Sequence, residues 1–102
     1  MPTKLQIATW NKLNEIPKGK VTTYKLLANA LESRAVRAVA SAVGKNPYAP
    51  KVPCHRVVLS SGKIGNYTHL LGVKRKIELL ESEGIQIKDG KIVDFQKVLY
   101  KF

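Results

Sequence analysis

Pro53-Cys54-His55-Arg56-Val57 is the stretch of this sequence whose residue types can do chemistry together. Cys54 is the only cysteine in the chain. A solitary cysteine is more often a small buried hydrophobe than a nucleophile. Three features point the other way. Cys54 follows a proline-stiffened segment instead of lying on a helix face, His55 is its immediate neighbour, and the charge around it is strongly positive. A base and a positive field both favour thiolate, and thiolate is the reactive form. The chemistry within reach is attack by sulfur on an electrophilic carbon. One Cys and two His, His55 and His69, do not supply a structural zinc set, so neither a metal nor a cofactor is expected. A Cys–His hydrolase stays open, although it needs an oxyanion hole that the sequence does not reveal. A single cysteine also precludes an internal disulfide, and in a reducing compartment the thiol stays free.

The elements that must position this segment follow from periodicity and punctuation. Residues 3–15 predict a helix with Ile7, Trp10 and Leu13 over an apolar side, ended by Ile16-Pro17-Lys18-Gly19. Thr22 or Thr23 can cap a second helix through about Leu31, with Tyr24, Leu27, Ala28 and Leu31 along one stripe. After Glu32-Ser33 a third helix is expected from Arg34 to about Gly44, with Ser33 as its N-cap. Val36, Val39 and Val43 share one of its faces, and Arg34, Arg37, Ser41 and Lys45 share the other. Ala35, Ala38, Ala40 and Ala42 keep the flanks thin enough for another surface to approach closely. Two short helices joined by a tight turn, the second basic outside, form a helix-turn-helix pattern.

Residues 46–53 hold three prolines in eight positions and read as an extended, stiff loop ending at Cys54. Val57-Val58-Leu59 reads as a short strand, Val73, Ile77 and Leu80 line a helix that stops at Gly84, and Asp89-Gly90 turns a hairpin in the 85–102 tail. With 102 residues the chain is expected to be one domain. Its fold class is mostly α with short β elements, a winged helix-turn-helix-like DNA-binding domain.

Charge narrows the partner. The chain carries 18 Lys and Arg against 7 acids, a net charge of +11. Between residues 18 and 76 the only acid is Glu32, so the whole excess sits in the middle, where the other motifs lie. A concentrated positive field favours a polyanion, with nucleic acid first among them. An anionic membrane surface would call for an amphipathic helix with exposed bulky apolar residues, and none is evident. No apolar run approaches the roughly 20 residues of a membrane span. The opening Met-Pro-Thr-Lys-Leu-Gln has no signal region. An intracellular monomer, in cytoplasm, nucleoid or nucleus, is therefore expected.

Taken in order, Ile16-Pro17-x-Gly19-x-Val21-x-x-Tyr24, Ala35-Val36-Arg37-Ala38-Val39, Asn46-Pro47, Pro53-Cys54-His55-Arg56-Val57, Gly65-Asn66-Tyr67 and Glu83-Gly84 resemble the C-terminal, active-site domain of the O6-alkylguanine-DNA alkyltransferases. The likeness runs from about Trp10 to Gly84. It implies a single-turnover transfer of an alkyl group from the O6 atom of guanine in double-stranded DNA to Cys54. By the same resemblance His55, oriented by Glu83, takes the thiol proton through a water, Asn46 braces the turn, and Tyr67 donates a proton toward the guanine. Val57 and Thr68 would meet the base, and Tyr24 would press on the target phosphate. Arg37 would fill the gap left by the rotated base, with Arg34, Ser41, Lys45 and Arg56 as further DNA contacts in the minor groove.

Other settings stay open for some of these residues: Tyr24 as core, and Arg56 with Glu83 as a structural ion pair. The sequence also departs from the family pattern. No counterpart of the usual N-terminal domain is expected, so a zinc site there is not carried over. Ala40-Ser41 stands where two glycines are common, and Thr68-His69-Leu70 follows Tyr67 in place of Ser-Gly-Gly. That last change adds bulk beside the alkyl pocket. The rival function is a non-catalytic, alkyltransferase-like lesion binder. Such proteins typically replace the acceptor cysteine, which this chain keeps. A general winged-helix DNA binder is a more distant alternative.

Overall fold

A computed structural model describes residues 1–65 and 72–102. Tyr67 and Thr68, together with His69 and Leu70, lie outside the described residues.

Helix α1 (Lys4–Leu13) opens on a capping box: Gln6 N donates to Thr3 Oγ1 and Thr3 N donates to Gln6 Oε1. These bonds satisfy two of the donors that every helix start leaves free. Trp10 and Leu13 are buried, but Ile7, expected on the same side, is 47% exposed. The inward face is completed by Thr9, whose hydroxyl donates to Leu5 O and so needs no partner outside the helix.

Strand β1 (Thr22–Thr23) runs directly into α2 (Tyr24–Ala30). Thr23 is the cap of α2, accepting from Leu26 N. Glu32, in a left-handed backbone conformation (φ 55°), turns the chain toward α3 (Val36–Gly44). This helix starts two residues later than the sequence suggests, and Ala35 is its N-cap. Ser33 does not cap it, because its Oγ accepts from Ala35 N, ahead of the first helical residue. Arg34 therefore precedes the helix. The packed stripe runs through Val39, Ala42 and Val43, leaving Val36 37% exposed. Arg34, Arg37, Ser41 and Lys45 are exposed together, as the polar face requires.

The loop before Cys54 is a series of turns held by a buried side chain: Asn46 Nδ2 donates to Val52 O and Tyr48 N donates to Asn46 Oδ1. Cys54–Arg56 form one 3-10 turn, followed by β2 (Val57–Val58), shorter by one residue than expected. Strands β1 and β2 pair in parallel, Thr22 opposite Val57 and Thr23 opposite Val58. Successive strand residues point to opposite faces. Val57 accordingly joins a core of Trp10, Leu13, Ile16, Leu27, Val39 and Cys54, while Val58 joins a second one with Val21, Ile64, Leu80 and Ile92.

Helix α4 (Gly72–Ser82) is followed by the hairpin β3 (Ile87–Lys88) and β4 (Lys91–Ile92). Asp89 and Gly90 both have positive φ, 52° and 75°, as the two-residue turn between twisted strands demands. The tail holds more than this hairpin. Helix α5 (Phe95–Val98) follows, and the chain then pairs with residue 21: Val21 N donates to Val98 O at 2.9 Å and Tyr100 N donates to Val21 O at 2.6 Å. The sequence pattern, too short here to show a period, did not announce either feature.

Trp10 Nε1 donates to Ala42 O at 2.8 Å, tying α1 to the basic helix from within the core. Trp10→Phe removes this donor while leaving an aromatic ring in place. We expect a loss of about 1 kcal/mol in stability, the usual net worth of such a bond, seen as a lower urea midpoint at constant m value. An unchanged midpoint would mean that the bond contributes nothing.

Candidate active site around Cys54

Cys54 opens the 3-10 turn, and its N–H donates back to Val52 O at 2.9 Å. The residue is only 2% exposed and His55, next to it, 1%. Glu83, directly after α4, brings its carboxylate to this turn. His55 Nε2 lies 2.9 Å from Glu83 Oε2, while Arg56 reaches both carboxylate oxygens, Nε to Oε1 at 2.8 Å and Nη2 to Oε2 at 2.7 Å. Arg56 Nη1 also donates to Ile16 O at 2.7 Å. The guanidinium is thus committed inside the fold. This is the structural ion pair that the sequence left open for Arg56 and Glu83.

The electrostatics assign the histidine tautomer. Burial alone would raise the Glu83 pKa, but hydrogen bonds from Arg56 and His55 and their charges outweigh it and hold it below the usual carboxylate range. An ionised carboxylate only accepts, so Nε2 carries the hydrogen and Nδ1 keeps the lone pair. Among the described residues Nδ1 is a buried nitrogen with no hydrogen-bond partner. The His55 pKa is lowered, chiefly by burial and further by the charges of Arg56 and Lys76, against the opposing pull of Glu83. The turn therefore presents a neutral imidazole with a free lone pair in the residue next to the thiol.

The other expected residues fall into two groups. Asn46 braces the loop as described, and Tyr24, at the first position of α2, packs against the same core as Cys54. Its hydroxyl pKa is raised, by burial first and by the charge of Cys54 second. Arg34, Arg37, Ser41 and Lys45 stand apart from this cluster on the exposed side of α3. The Val57 carbonyl accepts from Lys76 Nζ at 2.7 Å, which uses one of its two lone pairs. Lys76 was missed. It is completely buried, and the signal was present: Lys76 interrupts the Val73, Ile77, Leu80 stripe at i+3 from Val73. Val73 itself is 39% exposed.

Among the described residues no group of His, Cys, Asp and Glu is arranged to hold a metal ion, and no helix is long and apolar enough to cross a membrane. A thiol and a carboxylate-held imidazole on one turn, behind a helix-turn-helix with a basic outer face, define a DNA-binding domain of the alkyltransferase type. Residues 4–85 match the DNA-binding domain of the 6-O-methylguanine DNA methyltransferase family, and the chain belongs to that family. A methylated-DNA–protein-cysteine methyltransferase of Candida glabrata is 43% identical over 90 residues, 87% of this chain and 42% of the relative. The bifunctional transcriptional activator and DNA repair enzyme Ada of Escherichia coli is 45% identical over 82 residues, 79% of this chain and 23% of its own length. The chain spans less than half the length of either relative.

Among solved structures, the Mycobacterium tuberculosis alkyltransferase OGT in complex with DNA superposes with a TM-score of 0.73 at 41% identity, covering 81% of this chain and 51% of that one. Schizosaccharomyces pombe Atl1, bound to damaged DNA containing O6-carboxymethylguanine, superposes with a TM-score of 0.84 at 28% identity, and the match covers 100% of both chains.

The titrations predict how stability responds to acid. The unfolded chain protonates His55 near 6.5, and the folded chain only lower, so folding is opposed increasingly as pH falls through that window. Glu83 adds a second loss lower down: its contribution is complete above 4.5 and disappears as pH falls through its depressed folded value. Urea midpoints should therefore drop in both windows. His55→Gln should flatten the upper one relative to wild type. A variant that tracks the wild type below 6.5 would show that His55 titrates in the fold as it does in the unfolded chain.

Proposed function

We propose that this chain repairs O6-alkylguanine in DNA by moving the alkyl group onto Cys54 Sγ, once per molecule. The observation that carries the reading is the buried thiol on the same turn as a neutral imidazole, whose Nε2 is held by an ionised Glu83 and whose Nδ1 is free to accept a proton. Through a bridging water His55 takes the proton of Cys54. The sulfur attacks the alkyl carbon, and the carbon–O6 bond breaks with its electron pair staying on guanine. Tyr67 supplies a proton to the base and recovers one from His55. Net, one alkyl group passes from oxygen to sulfur and one proton from sulfur to guanine. This chain has no second thiol to take the alkyl group back from the thioether.

A thiol that is 2% exposed cannot meet a base stacked in a duplex, so the nucleotide must be rotated out of the helix and into the site. The exposed Arg34, Arg37, Ser41 and Lys45 on and beside α3 would lie in the minor groove, and Arg37 would occupy the space the base leaves. An inserted side chain offsets part of the unstacking cost. Tyr24 would flank the rotated nucleotide at its phosphate, and Thr68 would meet the base. One copy of the chain would act on each lesion, inside the cell. The matched region would correspond to the C-terminal, active-site part of the longer relatives. The end-to-end match with Atl1 favours a second reading, in which the chain holds alkylated bases without processing them. The retained Cys54 weighs against it.

Mixing the protein with a duplex containing O6-methylguanine should add one methylene to its intact mass, located on Cys54 by peptide mapping. Cys54→Ala should gain nothing and still bind DNA. Wild type that binds the lesion with unchanged mass would establish the second reading. Arg37→Ala separates insertion from charge. Loss of one phosphate contact lowers the salt slope of binding by about 0.9, whereas loss of an inserted residue also slows methyl transfer at saturating DNA. An altered slope with an intact transfer rate would reduce Arg37 to a phosphate contact.

A further inference from the structure

Among the described residues Lys76 is the largest side chain that the fold buries completely. It projects from α4 into the interior, where Nζ donates to the carbonyl oxygens of Val57 and Ile64, each at 2.7 Å. An ammonium ion is among the costliest groups to enclose in a small core, and methionine would fill similar volume without that cost. Satisfying two carbonyls does not explain a charge. The surroundings do. Val57 ends the turn that begins at Cys54, so these bonds fix the ammonium beside the site. Its field reaches two functional groups on that turn, the thiol of Cys54 and the ring of His55.

We propose that Lys76 is a positioning residue of the Cys54 site, its tethered ammonium favouring the Cys54 thiolate over the thiol while keeping His55 uncharged. Both effects act in one direction. A positive charge stabilises the anion on sulfur and opposes a second cation on the imidazole. The proton taken from sulfur is therefore passed on from His55 toward Tyr67 and the base instead of remaining as an imidazolium. The influence is mutual: burial lowers the Lys76 pKa to about 8, and a charged Cys54 pulls it back up. Among the described residues the other ionisable groups of the site are Tyr24 on α2, His55 and Arg56 on the turn, and Glu83 after α4. Arg56 is neutralised by Glu83, so Lys76 is the cation left to act on the sulfur among these. The importance of this for repair rests on Cys54 being the alkyl acceptor. The electrostatic claim does not.

The test is made on the full chain without DNA. Cys54 is the only cysteine, so the ultraviolet absorbance of the thiolate, taken as the difference from Cys54→Ser, reports it alone. In Lys76→Met the thiolate inflection should rise by about one pH unit or more, and Lys76→Arg, which keeps the charge, should recover most of that shift. A merely structural lysine would leave the inflection in place. Should Lys76→Met not fold, nitrogen NMR of the Lys76 ammonium in wild type and Cys54→Ser supplies the reciprocal measurement. The lysine should lose its proton at lower pH in Cys54→Ser, where no thiolate forms. An unmoved thiolate inflection, or an unmoved lysine titration, would overturn the proposal. A shifted inflection in a protein that never gains a methyl group would instead refute the repair reading and leave this one standing.

Discussion

The carboxylate of Glu83 is the point on which the site depends. It receives His55 on one side and both arms of Arg56 on the other, and Arg56 in turn holds the carbonyl of Ile16. Three separate stretches are thereby locked together: the turn with the thiol, the end of α4, and the loop after α1. One negative charge facing two donors keeps itself ionised and forces the histidine into the tautomer whose Nδ1 lone pair is free. Arg56 is so deeply engaged that removing Glu83 would strand a largely buried cation, a far greater cost than the loss of an exposed ion pair. The lesser pair Lys12–Glu15, half in water at the end of α1, has no such standing.

The basic helix and the thiol are close relations in this architecture. Asn46 comes two residues after α3 and spans the proline-rich loop with hydrogen bonds at both of its amide atoms, so the loop cannot change shape without disturbing the end of the helix. Trp10 fixes the same helix end from the core side through Ala42. The exposed arginines and the buried sulfur therefore sit on one braced unit. The polar face of α3 and Cys54 are thereby held at a set distance from each other.

Much of this was legible in the residues, and the rest was not, for physical reasons. Helices α1 to α4 announced themselves by period, the hairpin by Asp89-Gly90, and the candidate site by Pro53-Cys54-His55-Arg56. The helix-turn-helix is present as read. Local pattern failed where long-range contacts decide. Val36 belongs by spacing to the valine face of α3, yet it stands at the helix start while the packed stripe follows Val39, Ala42 and Val43. Arg56 could be read from the sequence either as a DNA contact or as the partner of Glu83, and only the fold brings that carboxylate, 27 residues away, beside it. Lys76 reads as a solvated charge because lysine nearly always is one. Only the fold reveals the two carbonyls waiting for it.

The pairing of residues 98–100 with Val21 has a consequence for how the molecule comes into being. Strand β1 lies between two parallel neighbours drawn from far along the chain, with β2 on one edge and the Val98–Tyr100 segment on the other, where Thr22 Oγ1 also donates to Tyr100 O across 78 positions. Such contacts raise the mean sequence separation of the native contacts, which slows folding. During synthesis the helices near the start can form as they emerge, but β1 gains its second neighbour only after residue 100 has been added. Until then Val21, fully buried in the finished protein, has its N–H and C=O open to other partners. A newborn chain thus passes through an interval with a bare strand edge, when it is most exposed to aggregation and to chaperones.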